Sequence, residues 1–190
     1  MSTLNKLMLL TLISSGFWLQ ATNFDAEVRL GLNHYTDSLI HQIYGKATFD
    51  IELEGHYKKN RRIDYFGNIN YTYQKGYTNF FDDRTNIKNL NVSLGPRFLF
   101  PLNMHPNLFP YLGIGLTGSW IHTHNFGENA VPIINKGAFG PCFKSGFIWE
   151  RSRFYIDVFF DYYILYPKNF EHEYVNFSQL KSGAGLGMRF

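Results

Sequence analysis

Two sets of side chains could do chemistry. One is a handful of histidines near acids, the other a long series of charges at alternate positions. His122 and His124 flank one threonine, His172 stands between Glu171 and Glu173, and His34 and His41 lie close together. A His-x-His pair beside carboxylates is a donor set for a divalent metal. His172 with Ser178 offers a base and a nucleophile, but that chemistry needs a third group to orient the base. The spacing here matches no such arrangement. Histidines in polar loops near acids are ordinarily solvated, so the reading is no metal, no cofactor and no catalytic residue. The single Cys142 excludes an intramolecular disulfide and any cysteine metal framework. There is no glycine-rich phosphate loop and no zinc-ligand spacing.

The second set is more informative. Glu27, Arg29, Lys46, Asp50, Glu52, Glu54, Arg97, Lys144, Asp157, Asp161, Lys181 and Arg189 each sit in a stretch where polar and apolar residues alternate. Period two is the signature of a β-strand with one apolar face. The stretch 46–57 is the cleanest: Ala47, Phe49, Ile51, Leu53 and Tyr57 alternate with Lys46, Thr48, Asp50, Glu52, Glu54 and His56. Similar patterns cover 24–33, 63–74, 89–100, 111–121, 138–149, 154–164 and 180–190, which predicts eight strands. Pro141 predicts a bulge or an end in the sixth, because proline lacks a ladder amide. Every charged residue of these strands falls on one face and none on the other. An unpaired charge in a narrow interior is costly, so these groups are expected to pair across it.

Period two does not say which face points inward. The apolar face carries Phe, Tyr or Trp on nearly every strand, too much volume for the interior of an eight-stranded barrel. The other face, rich in Gly, Ser and Asn, fits a narrow lumen. Glycines 183, 185 and 187 are expected to face Tyr155, Phe159 and Tyr163, rings that would fill the bore further. Apolar-out is therefore the expectation: an all-β, eight-stranded antiparallel up-and-down transmembrane β-barrel over 22–190.

Composition agrees. Aromatic residues make up 18% of the chain and glycine is plentiful at 17 residues. A formal charge of +3 gives no argument for nucleic acid. Residues 1–21 read as a secretory signal peptide: Lys6 supplies the positive region, an apolar run follows, and Ala21 is a plausible cleavage residue. The run from Leu7 to Leu19 is too short for a transmembrane helix.

The carboxyl-terminal strand carries a family resemblance. Lys181-x-Gly183-x-x-Leu186-x-Met188 followed by Phe190 resembles the last strand of bacterial outer-membrane β-barrels, whose terminal aromatic is read by the barrel-insertion machinery. The mature chain resembles the small eight-stranded group of the OmpA membrane domain, OmpX and the opacity proteins. That resemblance implies a Gram-negative outer membrane, contact with its lipid, and both termini in the periplasm. Surface-exposed loops at about 34–45, 76–86, 122–137 and 165–176 would then be external. It further implies a monomeric, non-enzymatic protein of the cell envelope, with an extracellular or host-surface partner for the loops. A narrow channel for small ligands is the second reading. Lipid-A-modifying enzymes also use small barrels with Ser and His at the rim, and Glu171-His172-Glu173 with Ser178 is the nearest equivalent here.

Overall fold

The computed structural model describes residues 23–77, 84–126, 135–167 and 175–190. The predicted signal peptide, the tips of three predicted loops, and Glu171, His172 and Glu173 lie outside the described residues. The strands are β1 (Phe24–Tyr35), β2 (Thr48–Lys58), β3 (Ile63–Tyr77), β4 (Arg84–Leu99), β5 (Leu108–Asn125), β6 (Asn135–Arg151), β7 (Phe154–Tyr163) and β8 (Gln179–Arg189). Each pairs antiparallel with its chain neighbours, and β1 pairs with β8 to close the barrel. Closure leaves no strand edge unpaired, which is the condition for crossing a lipid bilayer with strands. Phe190 completes the seam: its amide donates to the Phe24 carbonyl at 3.0 Å and the two rings lie 6.4 Å apart.

Alternation sets the faces as expected. Leu53, Leu94, Ile114, Phe147 and Leu186 are exposed on the outer wall, while Arg29, Glu52, Asn70, Arg97 and Asp157 are buried in the bore. Such a wall of large apolar side chains suits contact with lipid. Two inward rings close over glycines as anticipated, Tyr155 opposite Gly187 and Phe159 opposite Gly183. A Cβ on Gly187 would lie 2.1 Å from the Tyr155 ring. Gly185 instead faces Asp157, and Tyr163 faces Gln179.

Three features differ from expectation. Pro141 lies inside β6, paired with Leu116 of β5, without ending the strand. The β6–β7 ladder begins only at Cys142 with Tyr163, and the Ile164 amide donates to the Pro141 carbonyl at 3.0 Å. The missing proline amide therefore falls where β7 has already ended. Second, β4, β5 and β6 run several residues beyond their predicted outer ends. Third, the first predicted loop contains a helix, α1 (Ser38–Tyr44). Asp37 starts it, accepting from the Ile40 amide at 3.3 Å as an N-cap does. Gly45 at φ 84° ends it, in the left-handed conformation that glycine adopts without strain. Ile40 and Tyr44 of α1 are buried against Tyr35, Ile87, Ile121, Leu165 and Phe177. Through these contacts the helix packs into the end of the bore opposite the chain termini.

Candidate functional site

The charged bore is the one place where the fold concentrates reactive groups among the described residues. Register builds it. Glu27 of β1 lies directly opposite Glu54 of β2, Arg29 opposite Glu52, and Asp161 of β7 opposite both Lys144 and Lys181. Alternation then turns all of these side chains to the same interior.

Arg29 is the hub. Its Nη1 reaches Glu52 at 2.6 Å, Asp161 at 2.9 Å and Glu54 at 3.0 Å, its Nη2 reaches Asp157 at 3.3 Å, and its Nε lies 3.3 Å from Glu27. The guanidinium also stacks 3.7 Å from the Phe159 ring centroid. Lys144 crosses from β6 to the same acids, at 2.9 Å from Asp161 and 3.1 Å from Glu52, and also pairs with Glu54. Lys181 lies 3.4 Å from Asp50 and 3.7 Å from Glu52. Asn68 donates to Glu52 at 2.8 Å and to Glu54 at 3.1 Å. Pairing with added hydrogen bonds is what allows charges to stay in a low-dielectric interior.

The sequence did not single out every member. Asp64 accepts from Arg97 Nε at 3.0 Å and Nη2 at 2.7 Å, a two-pronged pair. The register places those two residues opposite each other, so the signal lay in the strand pairing rather than in either residue alone. His56 and Tyr111 were also missed. Tyr111 donates to Asp157 at 3.1 Å, beneath the Arg97 guanidinium. Two expected members lie elsewhere. Lys46 is exposed and precedes β2: α1 ends at Gly45, so the alternation that would point Lys46 inward starts only at Thr48. Arg189 is 35% exposed at the rim near the termini, 3.5 Å from Asp25 and paired with Glu150. Lys58 joins that rim cluster, 2.8 Å from Asp25 and 3.2 Å from Glu150.

The ledger of the inner bore is unequal. Glu27, Asp50, Glu52, Glu54, Asp64, Asp157 and Asp161 are buried together with only Arg29, Arg97, Lys144 and Lys181 as fixed cations. Toward the outer mouth the lining becomes neutral. Asn91 donates to Asn70 at 2.9 Å, Ser119 to Asn89 at 2.6 Å, Ser93 to Thr117 at 2.9 Å and Asn33 to Gln179 at 3.0 Å. The residues of the predicted insertion signal divide between the walls. Leu186, Met188 and Phe190 face outward, and Lys181 and Gly183 face the bore. His34 at the end of β1 and His41 in α1 are separate from His122 and His124, which stand on the outer side of β5.

No family model and no curated protein matches the sequence. Solved structures do. The chain is similar to the outer membrane protein OprG of Pseudomonas aeruginosa, at 12% identity and TM-score 0.65, covering 89% of this chain and 98% of that one. It is similar to Neisserial surface protein A, at 15% identity and TM-score 0.63, covering 88% and 97%. It is also similar to Ail of Yersinia pestis, crystallised with the heparin analogue sucrose octasulfate, at 14% identity and TM-score 0.52, covering 87% and 97%. The fold of this chain is that of the small eight-stranded outer-membrane barrels.

Proposed function

We propose that the chain is a non-conducting, non-enzymatic barrel of the Gram-negative outer membrane that acts through its outward end, in envelope structure or surface interaction. The observation that carries this is the blocked bore: the Arg29–Lys144–Glu52–Glu54–Asp161 cluster fills its middle. Above it α1 packs into the outer end. Among the described residues these side chains occupy the bore, which argues against a steady water path and against a substrate cleft inside it. What remains free to act is the outward end, with the segments 34–45, 76–86, 122–137 and 165–176. On the outer wall of that end Lys75, Arg84 and Lys88 are exposed, which suits an anionic surface partner. The complex of Ail with a heparin analogue makes a sulfated glycan the first partner to try.

In this reading residues 1–21 are removed on export. The carboxyl-terminal Lys181, Gly183, Leu186, Met188 and Phe190 present the chain to the insertion machinery, and the mature protein works as a monomer in outer-membrane lipid. The test is electrical. Purified barrel in planar bilayers should show no steady conductance, only rare small openings. A steady, ion-selective current would overturn the blocked bore and make a narrow channel the function. Deleting the outward segments should abolish any cell-surface binding while leaving the barrel inserted.

A further inference from the structure

We propose that Glu27, Glu54 and His56 form a binding site for a divalent transition-metal ion of the zinc type, in the half of the bore nearest the chain termini. All three side chains are fully buried. Glu27 and Glu54 face each other across the β1–β2 ladder, and like charges directly opposite destabilise a sheet unless something positive lies between them. His56 is the next inward residue of β2 after Glu54 and brings an imidazole to the same point.

The spacing is that of a coordination shell. His56 Nε2 lies 3.3 Å from Glu54 Oε1 and 3.7 Å from Glu27 Oε1. A tetrahedral ion bound at about 2.0–2.2 Å holds its ligand atoms roughly 3.3–3.6 Å apart. Neither nitrogen of His56, nor Glu54 Oε1, nor Glu27 Oε1 has a hydrogen-bond partner within the protein. Buried polar groups without partners are costly, and an ion satisfies three of these atoms at once. One imidazole with two carboxylates suits zinc better than magnesium or calcium, which prefer all-oxygen shells.

Two guanidinium nitrogens approach the same carboxylates, Arg29 Nε at 3.3 Å from Glu27 Oε1 and Arg97 Nη1 at 3.8 Å from Glu54 Oε1. Their charge opposes a cation, but it is shared. Arg29 also holds Glu52, Asp157 and Asp161, and Arg97 holds Asp64. Carboxylates outnumber fixed cations in the bore, and a divalent ion supplies positive charge where those cations fall short. The two arginines then act as outer partners that orient the carboxylates. This site is separate from the exterior His122 and His124.

The test uses the full chain refolded in detergent with zinc chloride, then desalted against a weak chelator. One zinc per barrel is expected, with X-ray absorption at the zinc edge showing one imidazole among oxygen ligands. Glu27→Gln and His56→Gln should each weaken zinc binding by at least about tenfold. His122→Ala combined with His124→Ala should leave it unchanged. Heat-dependent gel mobility reports whether each variant folds. Should His56→Gln fail to fold, Glu27→Gln and the absorption spectrum of the unaltered protein decide the matter. Failure of the folded protein to retain zinc, or zinc that survives Glu27→Gln, overturns the site. So does zinc lost with the exterior histidines.

Discussion

The barrel wall that meets lipid and the part of it that rises beyond are built from the same strands with opposite polarity. From Ile114 up to the Leu90–Trp120 row the outer face is apolar and exposed, while Asn91, Thr117 and Ser119 line the bore. One step farther out the pattern begins to invert on β4 and β5. Lys88 of β4 stands opposite His122 of β5 on the exterior, and Ile87 and Ile121 are buried inside with Tyr35, Tyr44 and Phe177. The wall passes from a membrane barrel to a small water-facing barrel with an apolar core, without a break in its hydrogen bonds. Solvent, not backbone, decides which face is apolar: lipid outside demands a polar bore, and water outside permits an ordinary core.

The largest test of that contrast lies in the ion-paired bore. Arg29→Met should destabilise the barrel by about 3–5 kcal/mol, because five carboxylates lose the group that neutralises them in a buried site. Urea unfolding in detergent, followed by gel mobility, measures it. A loss below about 1 kcal/mol would mean that water reaches the bore and pairing there is weak. Next comes the outer wall. Ile114→Arg should cost about 2–4 kcal/mol in a bilayer, since the charge then faces hydrocarbon near the midplane. Equal tolerance in lipid and in water-facing positions would remove the distinction between the two regions.

This contrast also explains what the sequence disclosed. Eight strands, their faces and the closed antiparallel order follow from period two, because lipid on one side and a filled bore on the other hold the phase constant over each crossing. The outer ends of β4 and β5 were predicted too short for the same reason. Apolar residues move from Leu90 to Ile87 and from Trp120 to Ile121, and a phase change looks like the end of a strand. Helix α1 was hidden by its length of seven residues and its polar surroundings, although Asp37 and Gly45 are ordinary cap residues. In the bore, the charges were evident but their partners were not. Arg97 with Asp64, and His56 with Glu27 and Glu54, are brought together by register across strands, which no single stretch encodes. Lys46 shows the converse error, a residue with the right parity placed just before its strand begins.

In the water-facing region, Ile121→Ala should cost about 2 kcal/mol, the usual loss for truncating a buried isoleucine that its neighbours can partly close over. The effect should be the same in detergent and in lipid bilayers, because α1 and Ile87, not lipid, surround this side chain. A cost that depended on the bilayer would place this row inside the membrane and shift the boundary outward.

The smallest effect fixes where the boundary lies. Lys88 is exposed, and the Lys88–His122 row is one same-face step beyond the Leu90–Trp120 row. With water around it, Lys88→Leu should change stability by no more than about 0.5 kcal/mol, as for other exposed surface positions. Leu90→Lys sits at the interface, where a lysine on a barrel wall costs roughly 0–1 kcal/mol, so it should be mildly unfavourable. The two substitutions exchange the same side chains across a single step, so their difference isolates the environment from the intrinsic strand preferences of leucine and lysine. If Lys88→Leu instead stabilised the barrel in lipid by more than about 1 kcal/mol, removal of a charge from hydrocarbon would be the cause. The lipid boundary would then lie one row farther out, at the level of Lys75 and His124, and the inversion of polarity would begin inside the membrane.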